Sequence, residues 1–89
     1  MFWKTGVKRI KGGKTLKIDL KTRNNYIEDI VISGDFFAYP EEVIDLIEEE
    51  LRGKHLSEVD TIINKYRDRV ELIGLTFDDI RILIHELMS

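Results

Sequence analysis

Between Thr15 and Lys21 apolar and polar residues alternate without a break. Leu16, Ile18 and Leu20 fall on one side, and Thr15, Lys17, Asp19 and Lys21 on the other. That two-residue period belongs to a strand with one face in a core and the other in water. Val7 to Ile10 is a shorter candidate strand ahead of it, and the link KGGK supplies Gly12 and Gly13 for the positive φ angles of a tight hairpin. After the turn residues Arg23, Asn24 and Asn25, the run YIEDIVIS reads as a third strand with Ile30 and Ile32 on one face. Setting Leu20 against Ile30 and Ile18 against Ile32 brings Lys21 opposite Asp29, a favourable cross-strand pair. An antiparallel meander is therefore predicted.

From Pro40 the period becomes that of a helix. Pro40 suits a first helical turn, where its missing N–H costs nothing, Glu41 and Glu42 complement the positive end of the dipole, and Gly53 is placed to end the helix. Val43, Ile44, Ile47 and Leu51 form its apolar stripe. A second helix is predicted from Ser57, as cap, with Asp60 three residues on and Val59, Ile62, Ile63 and Tyr66 facing inward. Thr76 and Asp79 repeat the device ahead of a third helix buried through Ile80, Leu83, Ile84 and Leu87. Strands followed by helices give an α+β fold: a small three-stranded antiparallel sheet followed by three helices packed on one face.

Length and charge refine this picture. The 89 residues, 1–89, suffice for a single domain with one core. A net charge of −3 conceals two unlike ends. Residues 1–25 hold eight basic groups against Asp19 alone, a net +7, whereas residues 26–89 hold six basic and sixteen acidic groups, a net −10. Such asymmetry bears on partners rather than on fold: either the basic end meets something anionic, or the two halves neutralise each other. The absence of cysteine excludes disulfides, thiolate metal sites and a cysteine nucleophile. The opening MFWKTGVKRIKGGK reaches charge at Lys4 and develops no secretory apolar run, and no segment is long enough to span a bilayer. A cytoplasmic protein without membrane contact is the expectation.

Reactive groups do not converge. His55 and His85 are thirty residues apart without metal-ligand spacing, so no metal site is predicted. The carboxylates Glu41, Glu42, Asp45, Glu48, Glu49 and Glu50 read as a hydrated helix face, because an acid/base pair needs environments that drive two pKa values apart. The glycines of KGGK join strands instead of leading a strand into a helix, so they make a turn and not a phosphate loop. No catalytic residue is assigned. What calls for explanation is the corner SGDFFAYPEE, which places Phe36 and Phe37 on a connection. Either both rings lie under the helices, or one enters the core while the other joins a contact patch. Trp3 and Phe2 near the N-terminus pose the same alternative.

The stretch KGGKTLKIDLKTRNNYIEDIVISGDFFAYPEEVIDLIEEELRGKHLS resembles the accessory C-terminal domain of lipoate–protein ligases. The resemblance is carried by GGK before an alternating strand, a turn then I-x-D-I-x-I, the GDFF corner at Gly34 to Phe37, a helix opened by proline, and L-R-G at Leu51 to Gly53. It implies a separate small subunit of a split ligase, since members usually carry this unit behind a catalytic domain. Such ligases use ATP to convert lipoate into lipoyl-adenylate and then pass the lipoyl group to a lysine of an acceptor domain. The resemblance thus implies a heterodimer with a catalytic subunit, which would hold ATP, Mg2+ and lipoate; this chain alone would bind no cofactor and would meet lipoyl-acceptor domains only indirectly. Trp3, Gly34, Asp35, Phe36 and Phe37 are then candidates for the partner interface. Lys8, Arg9, Lys11 and Lys14 are candidates for a basic contact surface, preferred over a phosphate-proximal role because charge complementarity needs no exact placement. The alternative is a small RNA-binding module using the basic hairpin, disfavoured by the acidity of the remaining chain and by aromatics at a strand exit instead of across a sheet face.

Overall fold

The computed structural model describes residues 3–10 and 12–89. Three strands, β1 (Trp3–Ile10), β2 (Lys14–Arg23) and β3 (Tyr26–Gly34), form an antiparallel sheet in the order β1-β2-β3. β1 extends four residues further back than the expected Val7–Ile10, because Trp3, Lys4, Thr5 and Gly6 pair with Lys21, Leu20, Asp19 and Ile18. The predicted register of the second hairpin is the one observed: Leu20 opposite Ile30, Ile18 opposite Ile32 and Lys21 opposite Asp29. The register shifts by one residue after Lys21, where Thr22 pairs with Ile27. This bulge turns Ile27 to the same buried side as Ile30 and Ile32, three residues apart where a regular strand allows only even spacings. Asn24 and Asn25, with φ of 52° and 66°, close the hairpin; asparagine accepts this left-handed backbone better than most residues.

Helices α1 (Val43–Leu51), α2 (Val59–Asn64) and α3 (Phe77–Met88) follow. α1 rests on β3, α3 rests on β1 and β2, and α2 bridges α1 and α3. Leu16, Ile18, Leu20, Ile27, Ile30 and Ile32 from the sheet meet Ile47, Leu51, Val59, Ile63, Ile80 and Ile84 from the helices in one core. Gly6 lets α3 lie close over β1, since a Cβ there would come within 2.9 Å of the Leu83 side chain. No helix among the described residues is long and apolar enough to cross a membrane.

Two helix starts differ from expectation. Pro40 is not the first helical residue. Phe37–Tyr39 forms a short strand, β4, so Pro40, Glu41 and Glu42 are needed to turn the chain back, and the helix opens at Val43 behind Glu42, with the Tyr39–Pro40 peptide cis. β4 pairs with β5 (Glu71–Ile73) in a separate two-stranded ribbon that the sequence does not predict. Ser57 is not a cap either. It lies within a single 3-10 turn, Leu56–Glu58, that leads into α2, and His55 caps that turn: its Nδ1 accepts the Ser57 N–H at 3.1 Å, while Glu58 accepts the His55 N–H at 3.1 Å. Thr76 and Asp79 do form the predicted reciprocal cap of α3.

The two flanks of the sheet are treated differently. The free edge of β3 is sealed by α1 and the segment after it. Glu48 accepts the Ile32 N–H at 2.6 Å, Arg52 donates to the Ile30 carbonyl and to Asp29, and Gly53 and Lys54 exchange hydrogen bonds with Ile27. This is the structural use of Leu51-Arg52-Gly53: the φ of 83° at Gly53 lets the chain leave the helix directly along the strand. Among the described residues, the backbone of β1 is hydrogen-bonded only to β2 and, at Ile10, to Gly13 of the connecting turn.

Glu48 is the buried carboxylate of this seam. Burial pushes its pKa up, opposed by the Ile32 hydrogen bond and by Arg52. A carboxyl with a raised folded-state pKa binds more protons folded than unfolded, so its contribution to stability is largest below the ordinary glutamate value and declines as pH rises through the raised one. Glu48→Gln is expected to lack this decline, gaining on the wild type as pH rises from the ordinary glutamate value through the raised one. Urea midpoints of both proteins across that range check it; parallel profiles would refute the assignment. Asp29, held below the ordinary carboxylate range by the Arg52 guanidinium, works in the opposite sense: its stabilisation is present above the ordinary aspartate value and is lost as pH falls through the lowered one.

Candidate functional site

The end of β3, the start of β2 and the β4–β5 ribbon meet at one end of the molecule. Gly34 pairs with Leu16, and its φ of 149° carries the chain so close to β2 that a Cβ there would lie 2.1 Å from the Thr15 carbonyl oxygen. Asp35 then locks the corner: its carboxylate accepts the Thr15 N–H, and its own N–H donates to the Thr15 carbonyl at 3.3 Å. With the backbone fixed on both sides of Thr15, the next two side chains diverge. Phe36 is half-buried against the core, and its ring edge lies 3.1 Å from the Cβ position of Gly34. Phe37 is 63% exposed. One ring of the aromatic pair therefore enters the core edge and the other faces outward.

The ribbon continues the division. Ala38, opposite Leu72, is buried, and Leu72 packs against the core. Phe37 opposite Ile73, and Tyr39 opposite Glu71, face outward. Tyr39 is 57% and Ile73 46% exposed, so three large apolar side chains share one wet face. Tyr39 and Ile73 were not legible as site residues. Glu71–Ile73 is too short to show a period, although the apolar cluster Val70, Leu72, Ile73 before Gly74 was the available signal.

The other candidates separate. The Lys14 stem reaches the same end, its Cγ 3.3 Å from where a Cβ of Gly74 would stand, with Phe36 beside it. Lys8 and Arg9 lie near this end but point to opposite faces, because Lys8 pairs with Leu16 on the helix side and Arg9 with Thr15 on the open side. Lys8 and Arg9 therefore do not share one face of the sheet. Trp3 pairs with Lys21 at the far end of the sheet, roughly 20 Å away along β2 at ~3.4 Å per residue, and so stands apart from the Gly34–Phe37 corner. Lys11 and Phe2 lie outside the described residues.

Chemically this end offers contact. Its residues are aromatic and aliphatic side chains, a lysine stem, the Asp35 carboxylate committed to the Thr15 amide, and the outward Glu71 carboxylate. The histidines are engaged elsewhere, His55 as a cap with Tyr26 edge-on to its ring at 4.9 Å, and His85 against Asp60 at 2.8 Å.

Comparison with known proteins bears on what such a surface meets. The family model described as the bacterial lipoate protein ligase C-terminus matches residues 2–84. A curated relative, lipoate-protein ligase A subunit 2 of Thermoplasma acidophilum, is 39% identical over 51 residues; the match covers 57% of this chain and about half, 54%, of the relative. A chain in a solved structure from the same organism, described as a bi-partite lipoate protein ligase and its E2 lipoyl domain, superposes with a TM-score of 0.80 at 27% identity, covering 99% of this chain and 96% of that one. The chain belongs to the lipoate protein ligase C-terminal family.

Proposed function

We propose that this chain, acting as one unit over residues 1–89, is the non-catalytic accessory subunit of a two-subunit, cytoplasmic lipoate–protein ligase. Together with a catalytic subunit it would support ATP-dependent activation of lipoate to lipoyl-adenylate, before transfer to a lysine of a lipoyl-acceptor domain. The observation that carries this reading is the near end-to-end correspondence with a chain of the bi-partite ligase structure. The relative named subunit 2 points the same way.

ATP, Mg2+ and lipoate belong, in this reading, to the partner. The chain's own part is to bind that partner and to shift against it, closing the site around a water-sensitive mixed anhydride and then uncovering it for the acceptor. Gly34, Asp35 and Phe36 support the contact surface by fixing the corner, Phe37 belongs to it, and Lys14 borders it. Lys8 and Arg9 contribute charge that raises the encounter rate with an acidic partner surface. Trp3 would make a separate contact at the opposite end. The test is to mix the chain with a lipoate ligase catalytic subunit lacking this domain and to measure lipoate-dependent pyrophosphate release. Strong stimulation is expected, and a folded chain that leaves the rate unchanged would overturn the reading.

A further inference from the structure

We propose that the catalytic subunit seats on the outward face of the β4–β5 ribbon, made by Phe37, Tyr39 and Ile73 beside Glu71, and meets it with an apolar surface rimmed by lysine or arginine. This rests on the accessory-subunit reading above and names the partner's surface within it. The pairing of Phe37 with Ile73 and of Tyr39 with Glu71 sets all four residues on one side of the ribbon. Exposures of 63%, 57% and 46% for the three apolar members leave them unburied by the chain's own fold. The remaining exposed apolar residues of the sheet do not form such a cluster: Tyr26 stands at the hairpin end with its ring against His55. Trp3, Val7 and Val31 stand opposite Lys21, Lys17 and Asp19 on the open face, so each is isolated among charges. Single exposed apolar residues are ordinary, whereas a contiguous group marks an interaction site.

The face is also held ready. Ala38 and Leu72 anchor its underside in the core, and the Asp35 to Thr15 hydrogen bonds fix the strand that enters it. Aromatic side chains presented on a fixed backbone lose little freedom when covered, which is why they dominate the centres of interfaces. Charge selects the occupant. Glu71 lies within the face, and Glu41 and Glu42 follow Tyr39 on the chain, both exposed. A second copy docked ribbon to ribbon would bring these carboxylates against their own likenesses, which costs free energy. A different chain with a cationic rim would complement them.

Binding of the full chain to a catalytic subunit, measured by calorimetry, tests the proposal. Phe37→Ser and Ile73→Ser are each expected to weaken binding by about tenfold or more, and the double variant by about a hundredfold. Val7→Ser and Val31→Ser on the open sheet face should bind as the wild type does. Glu71→Lys should slow association, with the effect fading as salt is raised. Circular dichroism and thermal melts establish that each variant is folded. If the wild type binds and the folded ribbon variants bind equally well, the ribbon is not the seat, while the accessory reading stands. If the wild type does not bind, the accessory reading fails and the proposal with it. A homodimer that dissociates on Phe37→Ser would assign the face to a second copy and overturn it.

Discussion

Gly34→Ala is expected to cost about 3–5 kcal/mol and to lower Tm by ~15 °C or more. Two effects add. The φ of 149° is a conformation that side-chain-bearing residues rarely adopt, and the new methyl would sit 2.1 Å from the Thr15 carbonyl oxygen. That oxygen cannot move aside cheaply. It belongs to the strand that pairs with Gly34's own, and it accepts the Asp35 N–H. Relief of the overlap therefore requires the corner to open, which would release Phe36 from the core edge and tilt the ribbon behind it. Gly12→Ala is the informative control. Gly12 also has a positive φ, 95°, but nothing lies within 4 Å of a Cβ there. Its cost should stay near the conformational penalty alone, about 1 kcal/mol. Thermal melts of the two variants separate strain from overlap, and a Gly34→Ala protein melting within a few degrees of the wild type would disprove the tight approach.

Ile63→Ala is expected to cost about 2–5 kcal/mol, the range for truncating a fully enclosed aliphatic side chain. Its consequence should be local before it is global. α2 is only six residues long, too short to hold itself by backbone hydrogen bonds, and it is kept helical by Val59, Ile62 and Ile63 packing between α1 and α3. Emptying the Ile63 site should loosen α2 ahead of the sheet. Amide exchange in residues 59–64 would then accelerate more than exchange in β2. Equal acceleration of both would mean that helices and sheet unfold as a single cooperative body.

The sheet was legible because its pattern is long. Seven strictly alternating residues fix which side of β2 is buried, and once Ile30 and Ile32 must share that side with Leu20 and Ile18, one register remains. α3 was legible because its cap and its stripe agree. The ribbon was hidden because three-residue strands carry no period, and Phe37–Tyr39 finds its partner more than thirty residues further on. That same pairing explains the late start of α1, since proline followed by two acids suits a turn as well as a first helical turn. Of the candidate site, the diverging phenylalanines were foreseen as one of two arrangements. Tyr39 and Ile73 could be found only once the two short strands were seen to pair. Trp3 drew attention by residue type, and only the register shows it at the far end of the sheet.

The unequal flanks of the meander bear on how the chain behaves in excess over its partner. With β3 stitched to Glu48, Arg52 and Lys54, strand addition to this sheet has, among the described residues, one vacant side, along β1. Two molecules joined there would each have used the side that growth requires. Edge-to-edge association of the sheet would therefore stop at a pair, where a strand open on both sides could propagate into a filament.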